Sequence, residues 1–382
     1  MDFTLPAEVE RFRDEFRYWL ADHLTADIVA AGRVGADDPV AFATMRGWNR
    51  LLAEEGWAAV SWPVEFGGRG VGPLEQMVYL EETVRSRAPM PVNLIGMNNI
   101  APAVMRYGTP RQHALLPRMV AADDIWCQGM SEPEAGSDLA SLRTRAVRDG
   151  DHFVVTGRKI WTSLGHRADW CQLFARTDPD APRRQGISCF LVDLTLPGVE
   201  AVAIPTLTGA ADFAQLFFDE VRIPADAMLG TPGQGWQVAT TTLSHERANA
   251  ARLYSELRVR LEDLVSDLRS TPEGAAALGD PVTLRRLGEL ATRSGLLEVL
   301  CQRSISATLA GAETGSASPA KTVWGELGQD IAAFGFDLFG LDGAQGRWAG
   351  QRLSTRALTI AGGTTQINKN ITAHHVLGLP RE

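Results

Sequence analysis

The sequence predicts an α+β protein of three consecutive blocks. An N-terminal helical domain covers 1–123, a middle β domain of barrel or sandwich type covers 124–232, and a C-terminal four-helix bundle covers 233–382. Three observations lead there. Apolar residues recur three and four apart through the first and last blocks, the spacing of an amphipathic helix. Short β-branched and aromatic runs broken by Gly, Pro and Asp fill the middle, as strands and turns do. The element types come in blocks and do not alternate, which excludes the βαβ repeat of a doubly wound dinucleotide-binding sheet.

From Leu5 to Leu24 the apolar positions are Val9, Phe12, Phe16, Trp19 and Leu20, one helical stripe. Asp38-Pro39 opens a second amphipathic helix through Phe42, Met45, Trp48, Leu51 and Leu52, ended by Gly56. Pro before the stripe and Gly after it are the usual start and stop residues. Trp62 to Gly68 reads as a loop from its Pro and Gly content. Pro73–Ser86 and Pro102–Tyr107 return to helix, and Gly108-Thr109-Pro110 turns into another. Near Asp123 the character changes. His152-Phe-Val-Val-Thr, Cys171-Gln-Leu-Phe-Ala and Ile187-Ser-Cys-Phe-Leu-Val are the clearest strands. Pro232-Gly233-Gln234-Gly235 closes the block. Trp236–Leu268 reads as one long helix, Ser270–Pro281 as a loop, and Val282–Leu309 and Pro319–Phe339 as helices. Gly340–Gly350 is Gly-rich, and a last helix follows Gly362-Gly363-Thr364 to about Val376.

Composition narrows the function. A net charge of −9 lacks the clustered Lys/Arg surface that phosphate-backbone binding needs, so no nucleic-acid partner is expected. Cys127, Cys171, Cys189 and Cys301 show no CxxC spacing, and the histidines form no HExxH, so no metal site is expected. Scattered cysteines fit free thiols in a reducing cytoplasm. Residues 1–20 are charged throughout, unlike a signal peptide, and no apolar run approaches the roughly 20 residues that span a bilayer, so no membrane role is expected.

Motifs carry the rest. Gln128-Gly-Met130-Ser131-Glu-Pro-Glu-Ala-Gly-Ser137-Asp138 is followed by Gly157-Arg-Lys-Ile-Trp161-Thr-Ser163. Then come Phe217-Phe-Asp-Glu-Val-Arg-Ile-Pro224, Gly233-Gln-Gly-Trp236 and Leu243-Ser-His-Glu246-Arg247. Ile360-Ala-Gly362-Gly363-Thr364-Thr-Gln366-Ile-Asn368 and Leu377-Gly-Leu-Pro380 end the chain. In order and spacing, over nearly the whole length, this set resembles the acyl-CoA dehydrogenases. An isolated Trp-Thr-Ser would be read as a core aromatic and an edge hydroxyl, and Ser137 alone as a turn serine. The ordered set overrides both.

The resemblance implies FAD, with the flavin between the β domain and the C-terminal helices. Gln128, Met130 and Ser131 would meet its pyrimidine edge, Trp161 its ring and Ser163 its N5, with Thr364 and Gln366 also on the cofactor and Ser137 on the CoA arm. The implied reaction is α,β-dehydrogenation of an acyl-CoA: a carboxylate takes the α-proton while the β-hydrogen leaves as hydride. A backbone N–H at Gly362 would polarise the thioester carbonyl. Many relatives carry the base at the position of Gly362, where glycine has no carboxylate. A minority place it directly before an arginine on the long helix, which Glu246-Arg247 matches. Glu246 is therefore the expected base, with Arg247 orienting it. For any single glutamate next to an arginine, a solvated ion pair is the plainer reading; the vacated Gly362 position reverses it.

Two family elements that reach the neighbouring subunit's FAD are absent. Asp267–Gly274 holds no Arg-x-x-Phe-Gly, and Asp337–Gly343 has lost the Gln and second Gly of Gln-x-x-Gly-Gly. A chain that keeps its own half-site but gives its neighbour nothing suggests an α2β2 heterotetramer with a sister dehydrogenase, as in actinobacterial steroid and lipid breakdown. A homo-oligomer holding FAD by other residues is the alternative. Electron-transfer flavoprotein is the electron acceptor that the resemblance implies. A flavin oxidase or monooxygenase on the same fold, and a non-catalytic partner subunit, remain open. Nothing in the sequence separates fatty, branched, aromatic or steroid acyl groups.

Overall fold

The computed structural model describes residues 4–245, 250–311, 317–343 and 346–380. They fall into two compact units.

The first unit carries the sheet. The chain enters it through α2 (Ala26–Val34) and α3 (Pro39–Glu54). The sequence reading did not separate α2, whose weak apolar stripe buries only Ala31. Asp38 caps α3, accepting from the N–H groups of Val40 (2.9 Å) and Ala41 (2.8 Å), with Pro39 at the first turn. This is the start signal that Asp-Pro announces: a carboxylate satisfies orphan donors where the dipole is positive. Trp48, Met45 and Leu52 bury the inner face of α3. A single turn of π-helix, Ile95–Ile100, runs into α5 (Ala101–Tyr107) and then α6 (Pro110–His113) and α7 (Leu116–Val120).

Buried asparagines join these helices to the sheet. Asn49 donates to the Val120 carbonyl (2.8 Å) and accepts from the Asn93 N–H (3.2 Å). Asn93 donates to the carbonyls of Met119 (2.7 Å) and Asp124 (2.9 Å) and accepts from the Trp126 N–H (2.9 Å). Both amides are fully buried, so every bond they make replaces one lost to water. Together they set where the first strand begins.

The sheet has eight strands: β1 (Trp126–Gly129), β2 (Arg145–Asp149), β3 (His152–Ser163), β4 (Trp170–Arg176), β5 (Ile187–Asp193), β6 (Val199–Ile204), β7 (Phe213–Pro224) and β8 (Met228–Leu229). Their order is β6-β7-β3-β2-β4-β5-β8, and β1 lies parallel to β4. The remaining pairs are antiparallel except for a single parallel β2–β4 pair. Its core includes Val155, Leu173, Phe190, Leu216, Phe218 and Ile223, each worth about 1.5–3 kcal/mol of apolar burial. Helix α8 (Gly235–His245) follows the sheet. Its first residue must be glycine, because a Cβ there would lie 2.7 Å from the Ile187 carbonyl oxygen on β5. The four cysteines are free and buried.

The second unit is helical: α1 (Ala7–His23), α4 (Pro73–Arg85), α9 (Ala250–Arg269), α10 (Pro272–Ala277), α11 (Pro281–Leu309), α12 (Ala317–Gly343), α13 (Arg347–Ser354) and α14 (Thr365–Ile371). Helix α9 packs on α4, α11 and α12, and α1 lies on α4. Two early helices thus complete the core of the C-terminal ones. The Tyr254 hydroxyl on α9 donates to Glu81 on α4. The expected loop at Ser270–Pro281 contains α10. Thr271 caps it through the Gly274 N–H (3.1 Å), Pro272 starts it, and the alanine run sustains it. The expected single helix Trp236–Leu268 is described as α8 and α9, with 246–249 outside the described residues. Among the described residues no helix is long and apolar enough to cross a membrane.

Candidate functional site

In the sheet unit the candidate residues gather where β1 leaves the sheet beside β3. After Gly129 the chain passes Met130 and Ser131 and folds back at Glu132. Glu132 and Ala135 exchange two backbone hydrogen bonds of 3.0 Å each, closing a turn over Pro133-Glu134. Ser131 is stitched to the neighbouring strand, its carbonyl accepting from the Ile160 N–H at 3.0 Å. Residues 130–131 therefore lie against the strand that carries Trp161 and Ser163.

A buried ion pair beneath them holds this loop. Lys159 is 0 % exposed and Glu132 is 6 % exposed. The Lys159 ammonium donates to Glu132 Oε1 (2.8 Å) and to the Met130 carbonyl (3.1 Å). Glu132 also accepts from the N–H groups of Arg143 (2.6 Å) and Thr144 (2.9 Å). Burial pushes the Lys159 ammonium below its ordinary pKa, only partly offset by Glu132. Burial also works against the Glu132 carboxylate, but the Lys159 charge and the hydrogen bonds outweigh it and hold the group below the usual range. One cation thus pins the Met130 carbonyl and the carboxylate of Glu132, the residue whose backbone closes the turn. Sequence reading missed this pair. The Glu and Lys of the two motifs were the only signal, and their meeting depends on strand register.

Trp161 is the most unusual residue of the site. Its backbone is left-handed, at φ 59°, and its side chain is 58 % exposed. The β3–β7 register shifts between Lys159 and Thr162, so Trp161 sits in a β-bulge. A bulky residue in this region of φ costs on the order of 1–3 kcal/mol and persists where the surroundings impose it, commonly at ligand sites. The bulge turns the indole outward, touching Phe213 edge-on at a 6.1 Å centroid separation. Ser163, two residues on, is half-buried. An exposed aromatic face, an adjacent hydroxyl and a braced stretch of backbone suit a planar heteroaromatic group with hydrogen-bonding edges.

Gln128 on β1 is half-buried, accepting from Asn99 Nδ2 (3.3 Å) and donating to Gln172 Oε1 (3.2 Å). Ser137 is exposed, just beyond the 132–135 turn. Its neighbour Asp138 meets Arg183 at 3.3 Å.

In the helical unit Gly362 and Gly363 are left-handed, at φ 64° and 91°. An L side chain at 362 would be strained, which accounts for glycine in this turn. Thr364 caps α14, accepting from the Ile367 N–H at 3.2 Å. Asn368 locks the turn from below, donating to the carbonyls of Gly363 (2.8 Å) and Thr364 (3.1 Å). Gln366 is exposed on the first turn of α14. Glu246 and Arg247 lie outside the described residues. The segments that lack the cross-subunit elements have local roles here: Asp267 accepts from Trp348 Nε1 at 3.0 Å, and Asp337 lies 3.6 Å from Arg352. Among the described residues no group of three or more His, Cys, Asp or Glu side chains is arranged to hold a metal.

Comparison with known proteins gives the same family over all three blocks. Residues 6–123, 127–221 and 233–377 match the models for the acyl-CoA dehydrogenase N-terminal, middle and C-terminal domains. The acyl-CoA dehydrogenase IpdE1 of Mycobacterium tuberculosis is 39 % identical over 390 residues, covering 98 % of this chain and 99 % of that protein. IpdE1 of Mycolicibacterium smegmatis is 37 % identical over 394 residues, with 98 % and 99 % covered. Among solved structures, the Tcur3481-Tcur3483 steroid ACAD matches with a TM-score of 0.88 at 31 % identity, covering 100 % of both chains. The ChsE4-ChsE5 complex of Mycobacterium tuberculosis matches at 0.84 and 28 %, again over 100 % of both.

Proposed function

The chain belongs to the acyl-CoA dehydrogenase family of flavoprotein oxidoreductases, and from that premise we propose that it oxidises an acyl-CoA to the trans-2-enoyl-CoA with Glu246 as the base. Bound FAD would supply the acceptor for the β-hydrogen. The observation that carries the cofactor assignment is Trp161: an exposed indole on a strained bulge, beside a loop that a buried ion pair braces from beneath. Backbone groups at Gln128, Met130 and Ser131 would bind the pyrimidine edge, Trp161 would pack on the ring, and Ser163 would donate a hydrogen bond to it. Thr364 and Gln366 are assigned to the same cofactor, and Ser137 to the CoA arm.

The α-proton of a thioester is weakly acidic, so its removal needs a polarised carbonyl and a positioned base. The Gly362 N–H serves the carbonyl, held in a left-handed turn that Asn368 closes. Glycine at 362 offers no carboxylate, so the base is assigned elsewhere in the chain. Glu246 directly follows the last residue of α8 in the sequence, and Arg247 orients it. A steroid-derived or other lipid acyl-CoA is the substrate class supported by likeness to the steroid ACAD. A sister dehydrogenase chain in an α2β2 assembly is supported by the missing cross-subunit elements and by likeness to the ChsE4-ChsE5 complex. Electron-transfer flavoprotein is the acceptor assigned by family.

Anaerobic bleaching of the flavin by a panel of acyl-CoAs tests the reading. Glu246→Gln should retain FAD and bleach about 10²–10⁴-fold more slowly. Bleaching at a near wild-type rate in that variant would refute the base assignment.

A further inference from the structure

The side chains of Asn99, Gln128, Gln172 and Thr242 form an unbroken hydrogen-bonded line through the sheet unit. Asn99 Nδ2 donates to Gln128 Oε1 (3.3 Å), Gln128 Nε2 donates to Gln172 Oε1 (3.2 Å), and Gln172 Nε2 donates to Thr242 Oγ1 (3.2 Å). The line crosses four elements in turn: the π-helical turn Ile95–Ile100, β1, β4 and α8. Gln172 and Thr242 are fully buried and Asn99 nearly so. Residue 172 lies in a strand whose buried neighbours are Cys171, Leu173 and Phe174, where an apolar side chain would pack without demanding partners. A primary amide there joins one neighbour as acceptor and the next as donor, so it imposes a direction and a separation that an apolar contact does not.

We propose that Gln172 is a positioning residue for the dehydrogenation, joining β1, which runs into the loop at 130–131, to α8, whose last described residue, His245, precedes Glu246 in the sequence. This rests on the reading of Glu246 as the base. The residue next to Thr242 is also held: Thr241 Oγ1 lies 3.1 Å from the Tyr107 hydroxyl on α5. Adjacent helical residues point about 100° apart, so two such bonds restrain both the rotation and the distance of α8. With side chains a helix has a radius of about 5–6 Å, so a rotation of about 10° moves a side-chain tip by about 1 Å. A misplacement of about 1 Å at a reacting group costs on the order of 100-fold in rate. At its other end Gln172 restrains Gln128, one residue before Gly129 and the loop at 130–131.

The test is three single variants and the Gln172→Met/Thr242→Val double variant, with kcat and KM measured on the holoenzyme. Gln172→Met keeps the length of the side chain and removes both amide bonds. Thr242→Val removes only the link to α8, and Thr242→Ser keeps it. Gln172→Met should lower kcat about 10- to 100-fold with KM for acyl-CoA within about threefold, and weaken FAD binding to the apoprotein about fivefold. Thr242→Val should lower kcat similarly while leaving the FAD Kd within twofold, and Thr242→Ser should restore kcat. The double variant should be no slower than Gln172→Met alone. A kcat within twofold of wild type in both single variants, multiplying effects in the double, or Thr242→Ser as slow as Thr242→Val would each overturn the proposal. Glu246→Gln run in parallel separates the two readings: if it bleaches normally the base assignment falls, while the Thr242 comparison still reports on the line itself.

Discussion

Removing the Lys159 ammonium should leave a measurable defect in both stability and cofactor binding. Lys159→Met keeps most of the aliphatic bulk and deletes the bonds to Glu132 Oε1 and the Met130 carbonyl. Breaking one side of a buried ion pair costs roughly 3–5 kcal/mol, because the surviving charge stays buried. Here Glu132 retains the N–H groups of Arg143 and Thr144, so the lower end, about 3 kcal/mol, is expected. At about 2–4 °C per kcal/mol for a domain of this size, the melting temperature should fall by about 6–12 °C. The pH dependence has a definite sign. In the wild type Glu132 is held below its ordinary pKa, so its contribution is present at neutral pH and is lost as pH falls through that depressed value. In the variant, burial with no cation should raise the Glu132 pKa above its unfolded value. The defect of the variant should therefore shrink as pH falls from 7 towards 5. Thermal and urea unfolding at both pH values would measure this, with Glu132→Gln and the double variant as controls. The double variant should be more stable than Lys159→Met alone. A defect under about 1 kcal/mol, or one that grows towards acid, would refute the account. FAD affinity should fall in parallel, since the Met130 carbonyl loses its anchor.

Further outcomes concern Trp161 and the assembly. Trp161→Gly relieves the left-handed strain but loses the edge contact with Phe213, so stability should stay within about 1 kcal/mol while FAD Kd rises at least about tenfold. Trp161→Ala should be less stable than Trp161→Gly by about 1 kcal/mol, because it keeps a Cβ at φ 59°; a collapse of stability with unchanged FAD affinity would make Trp161 a structural residue. Expressed without a partner chain, the protein should bind FAD substoichiometrically and recover full occupancy with its sister chain; full occupancy in a homodimer or homotetramer would refute the heteromeric assembly.

Much of the fold was legible because its signals are local. Asp38-Pro39 announces α3 by supplying the cap that the first backbone donors need, and the alternating run from His152 reads as a strand because side chains in strands alternate faces. The short helix Pro272–Ala277 reads as loop in the sequence because Pro, Gly and a few alanines look alike in both states until the Thr271 cap forms. The family motifs were also legible, since their order brings Gln128, Ser131, Trp161 and Ser163 into one list without geometry.

The succession of helical, strand-rich and helical blocks, the family resemblance, and the candidacy of Glu246 in a chain whose Gly362 lacks a carboxylate all follow from local sequence signals. The contacts that brace the candidate site depend on tertiary packing. Lys159 and Glu132 lie 27 residues apart, and Gln172 lies 70 residues from Thr242. No periodicity in the chain announces either pairing, because each depends on the register of neighbouring strands and the seat of α8. The outward turn of Trp161 likewise comes from a bulge between β3 and β7, set by how two distant segments pair and not by the residues on either side of it.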